Sequence, residues 1–226
     1  MIINKFASFF SKAIPDWDPV PETHAQQYAE SEWVIGANEV LLNELECWLG
    51  GFSGKKVLDL GGGPGQYSVA FAKRGALVTW HDISAAYAKI AEQKAEDHGV
   101  AIEFSIGYMD EALKLLKADY DLVFNRICWY YGFSDRSFSR TLFALIKPGG
   151  VGYVDTTHSG WHRESLSPAG QLKTWLNDCF SVKIGHPFPP HGRLAKLFLE
   201  LPVEKMQIDY STETNDRLLF RRSQVG

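Results

Sequence analysis

Short apolar runs alternate along the chain with longer amphipathic stretches. The runs predict β-strands, which lie at about 56–60, 76–81, 101–105, 120–125 and 150–155. The stretches between them predict helices at about 66–74, 84–98, 109–117 and 134–146. Alternation of this kind is typical of a parallel sheet with helices on both faces. We therefore predict an α/β, doubly wound sheet.

Two flanking segments add further elements. Residues 22–49 predict one or two helices that end at Gly50-Gly51, and apolar residues within 1–14 recur at near-helical spacing. We expect the helix within 1–14 to pack on the domain, to form a mobile lid over the active site, or to bind a membrane surface or a partner. After the fifth strand we expect helices near 168–178 and 192–201, then closing strands near 203–210 and 216–222.

A glycine-rich turn follows the first predicted strand. The run 57–65 reads Val-Leu-Asp-Leu-Gly-Gly-Gly-Pro-Gly, an apolar strand that ends in an acid and then a turn. Glycine lacks a Cβ atom, so such a turn lets a ligand approach the backbone closely. The helix predicted after it would direct free N–H groups toward the same place. The run predicts a nucleotide-type cofactor site.

The spacing of the turn separates two classes of cofactor. Dinucleotide folds prefer G-x-G-x-x-G, and Gln66 stands where the third small residue belongs. Asp59 would repel an anionic pyrophosphate but attract an amino group. Both features disfavour an NAD-dependent oxidoreductase and indicate a ligand that carries a positive charge near Asp59.

Four motifs in this order resemble those of the class I S-adenosylmethionine-dependent methyltransferases. Asp59, Gly61 and Gly63 match the first motif, D-x-G-x-G, and Asp82 ends the second strand as in that family. The segments 120–125 and 145–150 are similar to its fourth strand and to its L-x-K-P-G-G turn. The resemblance implies a Rossmann-like sheet of about seven mostly parallel strands, with helices on both faces and additional N-terminal helices.

The resemblance also implies a cofactor and its contacts. S-adenosylmethionine would bind and S-adenosylhomocysteine would be the product. Tyr108 stands where the family usually has the acid that contacts adenine, so Asp110 or backbone groups near Tyr108 and Met109 would take that contact. Asn125 would touch the methionine moiety or the acceptor, or form a turn. The full predicted cofactor set is Asp59, Gly61, Gly63, Gly65, Asp82, Ile83, Tyr108, Met109, Asp110 and Asn125.

The acceptor is expected beyond the fourth and fifth strands, because ligands of open α/β sheets bind outside the carboxyl ends of the strands. Trp129, Tyr130 and Tyr131 form an aromatic cluster there, with core packing as the alternative role for at least one ring. The segment 156–163 is rich in polar groups. His158, or else His162, is the predicted general base, and Trp161 and Arg163 are predicted acceptor contacts.

Composition limits the partners. The chain has 226 residues, a net charge of −4 and a pI of about 6.0, which gives no positive field for nucleic acid or an anionic membrane. Its three cysteines are far apart, so they indicate neither a disulfide framework nor a metal pair. The histidines lack close spacing, and we expect no metal. A cytoplasmic monomer or homodimer is expected.

These patterns together predict one domain over residues 1–226. Its parts are an N-terminal helical cap (1–50), a cofactor-binding core (51–155) and an acceptor-side segment with closing strands (156–226). The predicted function is methyl transfer by in-line displacement to an oxygen or nitrogen of a small molecule. A cofactor-binding protein without catalysis is one alternative, and an NAD-dependent oxidoreductase is the other.

Overall fold

The computed structural model describes residues 18–161 and 166–224. The helices are α1 (Glu22–Ile35), α2 (Glu39–Leu49), α3 (Gln66–Lys73), α4 (Ala85–Asp97), α5 (Ala112–Leu115), α6 (Asp135–Leu145), α7 (Pro168–Phe180) and α8 (Arg193–Leu199). The strands are β1 (Lys56–Leu60), β2 (Leu77–Asp82), β3 (Ile102–Ile106), β4 (Tyr120–Arg126), β5 (Ile146–Thr157), β6 (Val203–Asp209) and β7 (Asn215–Arg222). The helix predicted within 1–14 lies outside the described residues.

The seven strands form one sheet in the order β3-β2-β1-β4-β5-β7-β6. Neighbouring strands from β3 to β5 pair in parallel, while β7 pairs antiparallel with both β5 and β6. Among the described strands, β7 alone therefore runs against the others. The predicted Rossmann-like sheet of mostly parallel strands is confirmed.

Apolar side chains cover both faces of the sheet, as a mostly parallel sheet requires. One cluster packs α6 and α8 on the sheet through Leu142 and Phe198. On the other face, Leu42 and Phe71 bring α2 and α3 against the same strands. The central strands thus have helices on both sides, which leaves the ends of the strands as the places where a ligand can enter.

Element boundaries follow the local sequence, with two differences from expectation. The predicted helix at 109–117 is a 3₁₀ turn (Met109–Glu111) followed by the single turn of α5. Strand β5 begins at Ile146 instead of 150, because Ile146 already pairs with Tyr120 before the register shifts. The glycine turn at 149–150 is therefore an irregularity within a long strand.

The strand order reverses between β1 and β4, which are neighbours in the sheet although β2 and β3 separate them in sequence. A crevice forms outside the carboxyl ends of strands at such a point, and ligands of this fold class bind there. Within the described parts of the chain, no helix combines the length and the apolar character needed to cross a bilayer.

Candidate active site

A cavity of about 700 Å³ lies at this reversal point. Its walls come from the turn after β1, the end of β2, the segment after β3, the end of β4 and one face of α1. These segments are far apart in sequence, and the parallel sheet brings their ends to one edge. The volume is in the usual range for a site that encloses a small molecule.

The glycine turn forms the floor of the cavity. Gly61 has φ +84°, and a Cβ atom there would collide with the Cys128 side chain. The backbone N–H groups of Gly61 and Gly62 both donate to the carbonyl of His81, at 2.7 and 3.2 Å, which fixes the turn to β2. Gly65 lies behind the turn, where a Cβ would press on Ala91 of α4, and does not line the cavity.

Asp59 is a buried carboxylate at the base of this turn. The Ser68 hydroxyl donates to its Oδ2 atom at 2.7 Å. Burial raises the pKa of Asp59 to about 7, and this hydrogen bond offsets only part of the effect. Its ionisation at neutral pH therefore depends on whether a positive group occupies the cavity beside it.

Asp82 is the last residue of β2 and also lines the cavity. Its Oδ2 atom accepts the N–H of Gly63 at 3.1 Å, and its Oδ1 atom accepts the N–H of Ser84 at 3.0 Å. Burial raises its pKa, although these backbone bonds act in the opposite direction. The carboxylate is held in one orientation, and each of its oxygens retains a lone pair for a ligand hydroxyl. The adjacent Ile83 also lines the cavity.

Asp110 lines the cavity together with Tyr108 and Met109. Its Oδ2 atom accepts the N–H of Phe133 at 3.0 Å. Its Oδ1 atom is buried and has no hydrogen-bond partner within the described residues. Burial raises the pKa of Asp110 to about 6. A buried acceptor without a partner, at the wall of a cavity, is suited to a ligand N–H group.

Asn125 does not line the cavity, although the sequence placed it among the cofactor contacts. It is fully buried, and its Nδ2 atom donates to the carbonyl of Leu60 at 2.8 Å and to Cys128 Sγ at 3.0 Å. These bonds tie the end of β4 to the end of β1, just below the glycine turn. Asn125 therefore supports the floor of the cavity from behind.

The predicted aromatic cluster divides between cavity and core. Tyr130 and Tyr131 line the cavity with ring centroids 4.5 Å apart. The structure instead places Trp129 in the core, where it packs on Phe138 and Phe198. The Trp129 indole donates to Asp135 at 3.1 Å, so the polar atom of this large ring is satisfied inside the protein.

The segment after β5 lies elsewhere. Neither His158 nor Trp161 is among the described residues that line the cavity, and His158 packs against His191 with ring centroids 4.7 Å apart. His162 and Arg163 lie outside the described residues. The general-base role of His158 or His162 and the acceptor contacts of Trp161 and Arg163 remain predictions from the sequence.

Several cavity residues were missed by the sequence analysis. His24, Tyr28 and Glu32 are spaced four residues apart on α1, so one helix face presents all three to the cavity. This spacing of polar and aromatic residues is a signal that could have been found. His186 reaches the cavity from the loop before α8. No local sequence pattern predicts this contact, because it depends on how the loop packs against residues that are distant in the sequence.

The charges that line the cavity are mostly negative. Within the described lining there is one guanidinium, that of Arg126, against four carboxylates, those of Glu32, Asp59, Asp82 and Asp110. The Arg126 guanidinium lies 3.8 Å from Glu32 and 3.9 Å from Asp155 and stacks over the Tyr67 ring. A cavity with this balance favours a cationic ligand and disfavours a pyrophosphate.

Comparisons with known proteins agree with this geometry. Residues 57–150 match a sequence family described as "Methyltransferase domain". The chain is 30% identical over 153 residues to a ubiquinone biosynthesis O-methyltransferase from Acinetobacter baylyi. This alignment covers 67% of this chain and 61% of that protein. It is 31% identical over 159 residues to the protein of the same name from Histophilus somni, which covers 64% of this chain and 67% of that one.

The chain spans about half of the length of several other curated relatives of that name. A solved structure of a protein from Pyrococcus horikoshii OT3 superposes with a TM-score of 0.63 at 16% identity, over 93% of this chain and 97% of that chain. At this identity the likeness concerns the fold. The four motifs, the strand order and the similarity to these relatives lead to one conclusion, that the chain belongs to the class I S-adenosylmethionine-dependent methyltransferases.

Proposed function

We propose that this protein binds S-adenosylmethionine in the cavity and transfers the methyl group to a small-molecule acceptor. The observation that carries the proposal is the charge of the lining, four carboxylates against one guanidinium at the strand reversal point. The sulfonium and the amino group of this cofactor are cationic, so such a lining attracts it. The relatives named above are O-methyltransferases, which favours oxygen over nitrogen as the acceptor atom.

The residues present match the parts of the cofactor. Asp82, held by two backbone N–H groups, would take the ribose hydroxyls. Asp59, Gly61 and Gly63, which all line the cavity, would hold the methionine end. Asp110 Oδ1, a buried acceptor without a protein partner, would accept the adenine amino group. This contact replaces the acid that the family usually has at the position of Tyr108.

When bound, the cofactor supplies an electrophilic methyl group on a positively charged sulfur. The protein's task is then to align the acceptor with that methyl group and to exclude water, which in well-oriented systems lowers a barrier by about 7 to 11 kcal/mol. Tyr130 and Tyr131 flank the cavity after β4, and Tyr28 faces it from α1. Their rings favour an acceptor with a flat, weakly charged face.

His24 and His186 both line the cavity, and we infer that His186, which contacts Tyr131, accepts a proton from an acceptor hydroxyl. The His186 ring meets the Tyr131 ring edge-on, with centroids 5.0 Å apart. Burial lowers the pKa of His186, and the nearby Lys183 ammonium acts in the same direction. The ring is therefore neutral at neutral pH and able to act as a general base.

The assignment of Asp110 can be tested by calorimetric binding of S-adenosylhomocysteine to Asp110→Asn. An asparagine has one acceptor oxygen, so it keeps either the bond from the Phe133 N–H or the bond from adenine. We expect about tenfold weaker binding, the effect of one lost hydrogen bond to a charged group. Glu111→Gln is the matched control, because this neighbouring carboxylate pairs with Lys114 and does not line the cavity.

S-inosylhomocysteine, which has an oxygen in place of the adenine amino group, completes the comparison. If Asp110 accepts from that amino group, Asp110→Asn weakens S-adenosylhomocysteine but does not weaken the inosine analogue, because the new amide can donate to the carbonyl oxygen of the analogue. Equal losses for both ligands, or no loss for either, would rule out the adenine contact.

The assignment of His186 concerns the transfer step. With an acceptor identified by screening small molecules for label from methyl-tritiated cofactor, His186→Gln should lower kcat about 100-fold while cofactor affinity stays unchanged. His98→Gln is the control, because His98 is exposed at the end of α4. Full kcat in His186→Gln together with a loss in His158→Gln would return the role of base to His158.

A further inference from the structure

A second cluster of ligand-forming side chains lies away from the cavity, at the junction of β5 and β7. His158 follows β5, His191 precedes α8 and Asp216 is the second residue of β7. One ligand atom from each lies within 4.8 Å of the others. The residues are 33 (191 − 158) and 25 (216 − 191) positions apart, so no close spacing in the sequence marks them.

The geometry points to a binding site for a divalent transition-metal ion of the zinc type, formed by His158, His191 and Asp216. Two imidazoles and one carboxylate are a usual ligand set for such ions and leave at least one position for water. None of the three residues lines the cofactor cavity, so the proposed metal site is separate from the proposed methyl-transfer site.

The Asp216 carboxylate is already oriented for this role. It is completely buried, its Oδ2 atom accepts the N–H of Gly192 at 2.7 Å, and its Oδ1 atom lies 2.6 Å from His191 Nδ1. A single proton between that nitrogen and that oxygen holds the pair together. A metal ion would take the place of the proton and use the same two lone pairs.

His158 is close enough to complete the set with a small movement. Two ligand atoms on one zinc ion lie about 3 to 3.5 Å apart, given bond lengths of about 2.0 to 2.1 Å. At present His191 Nδ1 and Asp216 Oδ1 are 2.6 Å apart, and a ring nitrogen of His158 lies within 4.8 Å of the ligand atoms of both residues. The Gly160 N–H donates to His158 Nδ1 at 3.2 Å, so closure would exchange or break one long hydrogen bond.

Access and placement also favour an ion. His158 and Asp216 are buried while His191 is exposed, so the cluster opens to solvent on one side. A bound ion would join the start of β7 to the loops after β5 and before α8. The consequence is a metal-dependent gain in stability, because an ion that binds only the folded chain shifts the unfolding equilibrium.

The test uses the full chain with Cys47→Ser and Cys179→Ser, because these exposed thiols would otherwise bind zinc themselves. After treatment with a chelator, the protein is titrated with Zn²⁺ against a chromophoric chelator, and its Tm is measured with and without Zn²⁺. We expect one site per chain and a higher Tm with zinc. His191→Ala and Asp216→Asn should each weaken zinc binding at least about tenfold and abolish the rise in Tm.

His98→Ala, which removes an exposed imidazole directly after α4, should leave zinc binding unchanged. Zinc binding that is equally strong in His191→Ala and in the parent would overturn the proposal, as would the absence of a one-to-one site in the parent. If Asp216→Asn fails to fold, His191→Ala decides the question alone, because His191 is exposed and its removal leaves the core intact. Failure of this test would leave the proposed methyl transfer untouched, since that function uses other residues.

Discussion

Asp59 is a carboxylate in a place where ionisation is unfavourable. It is buried with one hydrogen bond from Ser68, and its pKa is raised to about 7. Between the ordinary pKa of 3.8 and about 7, the folded chain retains a proton that the unfolded chain releases. The free energy of unfolding therefore falls as the pH rises through this window, and the full cost is present above about pH 7.

Asp59→Asn should remove this cost. We expect the variant to equal the parent in stability at pH 4 and to exceed it by about 1 to 4 kcal/mol at pH 8, since one unit of pKa shift corresponds to about 1.4 kcal/mol. Urea unfolding at a series of pH values measures the difference. Asp97→Asn, at an exposed position of α4, should show no such pH-dependent gain.

The same variant should bind S-adenosylmethionine weakly, because it lacks the charge that pairs with the cofactor amino group. In the parent, affinity should fall by up to about tenfold per pH unit below pH 7, as Asp59 takes up a proton. A variant that gains no stability at pH 8 and keeps full affinity would show that Asp59 is not a strained binding group.

Much of the site could be predicted from the sequence because several of its residues are close neighbours in the chain. Asp59 lies near the end of β1, the glycines follow directly after that strand, and Asp82 ends the next strand, so local spacing places them at one edge of the sheet. Asp110 differs, because its unpartnered Oδ1 atom depends on the loop after β4, which occupies its other oxygen through Phe133. The sequence could offer Asp110 only as one of two alternatives.

At the scale of elements, a buried ionic cluster attaches the segment between α7 and α8 to α6. Asp135, the first residue of α6, accepts from Lys183 Nζ at 3.2 Å and from Arg193 Nη1 at 3.1 Å. The side chains of Asp135 and Lys183 are only 5% exposed. Burial lowers the pKa of Lys183, and Asp135 opposes this effect. The cluster positions the loop that carries His186.

Asp135→Asn should remove the carboxylate with which both Lys183 and Arg193 form ion pairs. We expect a loss of about 3 to 5 kcal/mol in the free energy of unfolding. Urea unfolding measures it, and limited proteolysis would detect opening of the loop between α7 and α8. The contrast is Glu200→Gln, which breaks the exposed pair with Arg136 and should cost no more than about 1 kcal/mol. Equal effects of the two substitutions would contradict the anchoring role of the cluster.

The elements themselves followed closely from periodicity, because most strands and helices have strong apolar patterns. The exceptions have physical causes. β5 extends back to Ile146 because long-range pairing with β4 overrides the turn residues at 149–150. The residues of α1 that line the cavity were not predicted. They are polar and aromatic, and the apolar periodicity used to predict helices does not identify such residues as contacts of a cavity.

At the scale of the whole molecule, the net charge of −4 and the mostly negative lining of the cavity both attract cations and repel anions. A cationic cofactor is attracted to the protein and then to the cavity, whereas an anionic dinucleotide is repelled by both. The fold class was predicted from the sequence because four motifs keep their order. The acceptor was not, because one fold accommodates many substrates.

Calorimetric titration of the purified chain with S-adenosylmethionine, S-adenosylhomocysteine and NADH under the same conditions tests whether the cavity binds S-adenosylmethionine. We predict saturable binding of the first two, one molecule per chain, and no binding of NADH. Binding of NADH alone, or of none of the three, would contradict the account.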